Sequence, residues 1–319
     1  MSNTTTDDAL TPAEAEAFRV QVREFLEKNA SGIGRRSDTS VQIAKTYQSA
    51  LVEAGLAGLV YGKEHGGAGL TRAHDRIYRE EYGKYPDMTF ELTISHGMCL
   101  PMLGQFGTEE QKRQFMPDNI AARTMWCQMF SEPGAGSDVA SLQTKAELDG
   151  DEWVLNGQKV WTTLAHVSDF GIVIARTNPD APKHAGISMF IIDMKAPGVE
   201  IRPIHQIDGG SHFNEIFLTD VRTPKSWLLG ELNHPRVVAI GETGLDYHYE
   251  PEAAELQQAS FRLHLQAARQ TGKPVIVHTR GARADTLALL REAALPQAGV
   301  LHCFTEDWDM AKAALDLGF

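Results

Sequence analysis

Ser131-Glu132-Pro133-Gly134-Ala135-Gly136-Ser137-Asp138 is a tight glycine-rich turn with two hydroxyls, set directly after the apolar stretch 126–130. Glycines at that density let backbone N–H groups approach a ligand closely, while Ser131 and Ser137 offer hydrogen bonds. Read alone, the octapeptide fits a surface turn as well as a binding loop. Lys159-Val160-Trp161-Thr162-Thr163 adds a large aromatic and two hydroxyls at a strand end, where Trp161 by itself reads as a sheet-packing residue. A third set is of metal type: Glu242, His278 and His302 stand at or just past the ends of the strand-like runs VVAIGE, PVIVH and GVLH. One carboxylate with two neutral imidazoles suits a divalent transition metal. A single histidine at a strand end is ordinarily packed or solvated, but three ligand-type residues at the same end of successive strands point to a site.

Three regions of different pattern must position these residues. Up to about Ala122 the chain reads as helices. Thr11-Pro12-Ala13-Glu14 is a capping box with Pro at the first helical position, and Phe18, Val22, Phe25 and Leu26 follow at helical spacing. Thr108-Glu109-Glu110-Gln111 repeats the box, and Pro117 is expected to end that helix. Gly66-Gly67-Ala68-Gly69 reads as a loop and completes no dinucleotide fingerprint. From about Arg123 to Glu231 the pattern is that of strands. Asp149-Gly150 and Asn156-Gly157 are both hairpin signals, which predicts a meander of strands at 143–148, 151–155 and 158–163. Further β-branched runs at 171–176, 187–194 and 213–221 complete an antiparallel sheet or barrel. From about His234 the order is strand 237–240, helix 255–271, strand 274–277, helix 284–294, strand 299–301 and helix 308–317, three βα units of parallel architecture. The join at 230–235 is short and carries no Gly/Ser linker.

The chain has 319 residues, of which 42% are hydrophobic and 23% charged, enough for about two domains with packed cores. Forty-two acidic against 30 basic side chains give a net charge of −12, which disfavours broad electrostatic binding to nucleic acid or anionic lipid. Cys99, Cys127 and Cys303 are too few and too scattered for a disulfide framework or zinc knuckle. The first 18 residues lack a basic start and an apolar core, and no run of 18 apolar residues occurs, so a cytoplasmic location without membrane association is expected. No phosphate-binding loop of the G-x-x-x-x-G-K-[ST] type is present. Tyr47, Tyr61, Phe106, Phe115, His96, Cys99 and Met102 read as packing residues.

The turn 131–138 and the segment 159–163, together with Tyr61-Gly62-Lys63-Glu64-His65-Gly66-Gly67-Ala68-Gly69-Leu70, Phe106-Gly107-Thr108-Glu109-Glu110-Gln111-Lys112 and Phe213-Asn214-Glu215-Ile216-Phe217, resemble the acyl-CoA dehydrogenase family over about residues 10–232. The resemblance implies a helical N-terminal domain (1–122), a β domain (123–232) and FAD as cofactor. It implies that Gln128, Phe130, Ser131, Gly136, Ser137, Trp161 and Thr163 hold the cofactor. Ser131 and Thr163 would bond the flavin ring, Trp161 would flank it, and Ser137 would also lie near acyl-CoA. The implied reaction is α,β-dehydrogenation of an acyl thioester, in which a carboxylate takes the α-proton and the flavin accepts the hydride. In the family that carboxylate lies in a C-terminal helical bundle. Glutamates in 233–319 match none of its motifs, so no catalytic residue is assigned.

Gly241-Glu242-Thr243-Gly244-Leu245-Asp246-Tyr247, Val277-His278-Thr279-Arg280 and Leu301-His302-Cys303-Phe304-Thr305 resemble the TatD family of metal-dependent hydrolases, over about residues 234–319. The resemblance implies that Glu242, His278 and His302 are metal ligands and that this stretch (233–319) is a partial, three-unit TIM-type βα barrel. The family's H-x-H pair and its late Asp ligand have no counterpart, and Gly281 stands where relatives often carry Asp. The expected fold class is thus multidomain α + β: helical, antiparallel β, then a partial barrel. The expected function is an acyl-CoA dehydrogenase-like flavoprotein fragment fused to a TatD-like fragment and catalytically incomplete, with a TatD-type hydrolase or nuclease and an inactive chimera as alternatives. A partial barrel beside an uncovered β domain is expected to expose apolar surface. Oligomeric state is left open.

Overall fold

The computed structural model describes residues 10–30, 40–136, 138–207, 209–233, 239–248 and 251–319. The chain divides into two compact units, Met1–Pro235 and Arg236–Phe319.

In the first unit, helix α1 (Pro12–Asn29) begins with the reciprocal capping box of Thr11 and Glu14 and buries Phe18, Val22, Phe25 and Leu26, as the spacing predicts. Helices α2 (Val41–Glu53) and α3 (Arg72–Tyr82) pack beside it. Between α1 and α3 the Glu81 carboxylate, 2% exposed, accepts from Arg19 at 2.6 Å, Arg23 at 3.0 Å and Lys84 at 2.6 Å. Three cations on one buried carboxylate satisfy every lone-pair direction it has. Hydrogen bonds from Arg23 and Lys84, aided by Arg19, hold its carboxyl at about 2. A π-helical turn (Ser95–Cys99) runs directly into α4 (Leu100–Phe106). Helix α5 (Glu109–Ile120) then continues three residues past Pro117, correcting the expected stop. Proline removes one helical hydrogen bond, but Phe115 and Met116 before it and Ile120 after it are each at most 3% exposed, and that burial carries the helix through.

Strands follow: β1 (Trp126–Met129), β2 (Lys145–Asp149), β3 (Glu152–Thr163), β4 (Phe170–Arg176), β5 (Ile187–Asp193), β6 (Val199–Pro203), β7 (Phe213–Pro224) and β8 (Leu228–Leu229). Among the described residues they form one sheet in the order β6-β7-β3-β2-β4-β5-β8, with β1 beside β4. Two contacts depart from the expected antiparallel pattern: β1 and β2 both lie parallel to β4. Forty residues separate the start of β4 from the end of β1, ample for a parallel crossover. Alternating side chains sort the core. Trp126, Ile172 and Ile191 join the helices, while Cys127, Val173 and Ile192 join a second cluster with Trp153 and Phe190.

The expected hairpin at Asn156-Gly157 is absent, because β3 runs unbroken through it. Asn156 instead donates from Nδ2 to Asp220 at 3.0 Å and accepts the Asp220 amide at 2.9 Å. Gly157 is required by closeness rather than by a turn, since a Cβ there would sit 2.6 Å from Thr144 Cα. The first strand of the meander starts at Lys145 rather than 143, since the Gln143 and Thr144 amides bond to a side chain instead of a strand. At the far end of this unit, Asn233 donates its amide to Ser188 Oγ at 2.9 Å and accepts from Thr177 Oγ1 at 2.6 Å.

The second unit alternates β9 (Ile240–Asp246), α6 (Ala254–Thr271), β10 (Val275–Arg280), α7 (Arg283–Ala293), β11 (Gly299–Leu301) and α8 (Trp308–Asp316). Its strands form a parallel sheet ordered β11-β10-β9. Val275 and Val277 meet Phe261, Leu265, Leu289 and Leu290 on the helical side, as period two demands. The expected strand 237–240 falls partly outside the described residues, at 237 and 238. The observed β9 lies further along because Gly241 and Gly244 let the backbone pass against β10: a Cβ at Gly241 would sit 2.4 Å from Ile276 O, and one at Gly244 would clash with His278 O. No helix among the described residues is long and apolar enough to cross a membrane.

Gly157→Ala is expected to destabilise the first unit by about 1–3 kcal/mol through overpacking on Thr144, read as a lower urea midpoint. Glu81→Gln is expected to cost about 1.5–3 kcal/mol by removing charge-assisted bonds. Because its folded carboxyl lies below the ordinary value of 4.5, Glu81 stabilises above that pH. The contribution fades as pH falls from there toward about 2, so the wild-type and Glu81→Gln denaturation midpoints should converge in acid.

Candidate functional site

Strands β3 and β7 pair antiparallel, and the register shifts between Lys159↔Ile216 and Thr162↔Asn214. Val160 and Trp161 therefore stand where β7 offers one residue, which makes a β-bulge, and Trp161 takes φ +60°. Trp153, Leu155 and Lys159 alternate inward, so an unbulged strand would send Trp161 inward with them. The bulge reverses the parity: Val160 and Thr162 are buried, while Trp161 stands 60% exposed with Thr163 next on its side. The indole is thus presented outward rather than packed in the sheet, and its ring meets Phe213 edge-on at 6.1 Å.

The glycine-rich turn is fastened to this bulge. Glu132 and Ala135 exchange backbone hydrogen bonds at 2.9 and 3.0 Å, which closes the turn. The Val160 amide donates to Ser131 O at 2.9 Å. Beneath them the Lys159 ammonium, fully buried, donates to Glu132 Oε1 at 2.8 Å and to Phe130 O at 3.2 Å. Glu132 also accepts the amides of Gln143 at 2.6 Å and Thr144 at 2.9 Å. Burial alone would raise the Glu132 carboxyl, but the amide of Gln143, Lys159 and Thr144 hold it below its ordinary value. Burial lowers the Lys159 ammonium, with Glu132 opposing. Neither residue has a role in the sequence reading, although a lysine in phase with inward Trp153 and Leu155 is the available signal of a buried partner.

Gln128 lies half-buried on β1, and Phe130 and Ser131 follow it half-buried. Gly134 and Gly136 have nothing within 4 Å of where a Cβ would stand. Ser137 lies outside the described residues. Among the described residues, neither Ser131 Oγ nor Thr163 Oγ1 has a hydrogen-bond partner. Thr162 Oγ1 is buried without one. The neighbouring β7 residue Asn214, fully buried, donates to Thr162 O at 2.9 Å and pins the far side of the bulge.

In the second unit Glu242 is the third residue of β9 and His278 lies within β10, rather than past their ends, while His302 follows β11. The three do converge. Glu242 Oε1 is 3.2 Å from His302 Nδ1 and 3.5 Å from His278 Nδ1, and His278 Nε2 is 2.9 Å from Asp246 Oδ2. Asp246 was no candidate from sequence. The carboxylates and imidazoles bond one another, and among the described residues no group of three or more His, Cys, Asp or Glu side chains is arranged to hold a metal ion. The helical region adds a cavity of about 500 Å³ whose lining includes Gln48, Tyr61, Asp75, Arg79, Tyr82 and His96.

Comparison with known proteins accords with this architecture. Models of the acyl-CoA dehydrogenase N-terminal and middle domains match residues 12–123 and 127–221, and the TatD related DNase model matches 209–319. Acyl-CoA dehydrogenase IpdE1 of Mycobacterium tuberculosis is 42% identical over 226 residues, 68% of this chain and 59% of that protein. Its namesake from Mycolicibacterium smegmatis is 36% identical over 281 residues, 81% of this chain and 71% of that one. The chain thus spans about three-fifths of the first relative's length. The solved Tcur3481-Tcur3483 steroid ACAD superposes with a TM-score of 0.59 at 26% identity, covering 97% of this chain and 74% of that one. The ChsE4-ChsE5 complex from Mycobacterium tuberculosis, at TM-score 0.60 and 24% identity over the same shares, has the same fold. The chain belongs to the acyl-CoA dehydrogenase family, and its later part carries TatD-related sequence.

A bulky residue held at φ +60° stores strain. Trp161→Gly is accordingly expected to leave unchanged or raise the unfolding free energy of the ligand-free protein, by up to about 1 kcal/mol, read from the urea midpoint. A clear loss of stability would show that the indole is kept for packing.

Proposed function

We propose that the first unit is an FAD-binding and acyl-CoA-binding body of the acyl-CoA dehydrogenase type. Gln128, Phe130, Ser131, Gly136, Ser137, Trp161 and Thr163 hold the cofactor, and Ser137 also contacts the substrate. The observation that carries the reading is the bulge. It turns Trp161 and Thr163 outward beside a turn whose Ser131 hydroxyl is free and whose Gly134 and Gly136 leave room for close approach. That donor set fits a flat heteroaromatic ring: an indole to flank it and two hydroxyls to bond its edge. FAD when bound supplies the hydride acceptor for α,β-dehydrogenation of an acyl thioester. Trp161 fixes the plane of the ring, Thr163 and Ser131 fix its rotation, and Val160 holds the two segments together through Ser131 O. No base for the α-proton is assigned among residues 233–319, so binding is proposed without turnover. The order β9-α6-β10-α7-β11-α8 fits three units of a βα barrel, and the three unpaired cysteines fit a cytoplasmic setting.

Incubation with FAD followed by removal of free cofactor should leave a near-stoichiometric visible flavin band, and Thr163→Ala should weaken retention several-fold. Loss of all flavin from the wild-type chain overturns the reading. Anaerobic acyl-CoA should not bleach the band, and bleaching would reveal a base.

A second reading, metal-dependent phosphodiester hydrolysis, draws on the convergence of His278 and His302 upon Glu242. As placed, these side chains pair with one another, and no step is derived through a metal. Manganese-stimulated cleavage of bis(p-nitrophenyl) phosphate, abolished by His278→Ala, would favour it. An unresponsive chain removes it.

A further inference from the structure

We propose that the buried Lys159–Glu132 pair is the positioning element of the flavin site: it fixes the Ser131 turn against the Trp161 bulge, so that both reach the cofactor ring as one surface. The inference rests on the flavin reading above and adds to it two residues that touch no ligand.

The argument starts from redundancy. β3 is already secured by its ladders to β2 and β7, and the turn is already closed by the Glu132–Ala135 bridge. The sheet therefore does not need an ion pair, and burying one is costly where two apolar side chains would pack as well or better. What apolar side chains cannot do is direct several chain segments to one point. Glu132 accepts from Lys159, Gln143 and Thr144, and Lys159 adds a bond to Phe130 O. The residue before the turn, the turn itself, the entry to β2 and the strand carrying Trp161 thus meet at two side chains. Lys159 is also the residue immediately before the bulge, where the strand parity changes. Among the described residues, the hydrogen bonds from the turn to this stretch of β3 are those of Lys159 and that of the Val160 amide to Ser131 O.

The test uses the full chain with Lys159→Met, which keeps length and removes charge, and Lys159→Arg, which keeps charge. Three quantities are read: the FAD dissociation constant from flavin absorbance, amide exchange in the cofactor-free protein, and its thermal midpoint. For Lys159→Met we expect at least tenfold weaker FAD binding and at least tenfold faster exchange at Gln143, Thr144 and Val160. Exchange along β4 and β5 should be unchanged and the midpoint moved by only a few degrees, and Lys159→Arg should recover part of the affinity. FAD binding within twofold of wild type in a folded Lys159→Met variant overturns the proposal. So does exchange that rises uniformly along β3, β4 and β5, which marks a merely structural pair. Should Lys159→Met fail to fold, Glu132→Gln is measured by the same criteria. If the wild-type chain itself binds no FAD, the flavin reading fails separately, and the exchange pattern at the three amides alone upholds or overturns the clamp.

Discussion

A buried ammonium has to be answered by acceptors, and the answer given to Lys159 organises much of the first unit. Glu132 is held under the sheet by it, the residues entering β2 are held by Glu132, and the glycine-rich turn cannot move independently of β3. One residue further along, the bulge changes which side of the strand each side chain occupies. The two devices are complementary: the ion pair ends the inward series of β3, and the bulge begins the outward one. An exposed tryptophan with left-handed backbone is stable only because both of its flanks are buried and bonded.

How much of this was legible in the sequence depends on how local the cause is. The capping boxes at Thr11 and Thr108 are decided within four residues, and they fold as read. The same holds for β10, expected at 274–277 and observed at Val275–Arg280. Pro117 misleads because the burial of Ile120 is decided by packing against distant residues. Asn156-Gly157 misleads for a related reason: the glycine answers Thr144, the residue that leads into β2, not a turn. The bulge is least legible of all, since a register shift belongs to two strands and β7 lies fifty residues further along the chain. Trp161 was recognisable through family likeness, but its outward side was not.

The second unit gives a different lesson about glycine. Gly241, Gly244 and Gly299 each bring a backbone against β10 so tightly that no side chain could intervene. That closeness carries Glu242 and Asp246 into the strand, beside His278, where sequence alone would leave Glu242 at its tip. The resulting cluster is internally bonded, which is the arrangement charged and imidazole groups adopt when they satisfy one another.

Asn233 ends the described part of the first unit with a backbone bond to Ser188 and a side-chain bond from Thr177. Thr177 directly follows β4 and Ser188 is the second residue of β5, so the described part of this unit ends on a residue bonded to the sheet. Force applied at residue 233 would meet those two bonds, and then the pairing of β8 with β5, before it reached β3. In the sheet order, β5, β4 and β2 lie between β8 and the strand that carries Trp161.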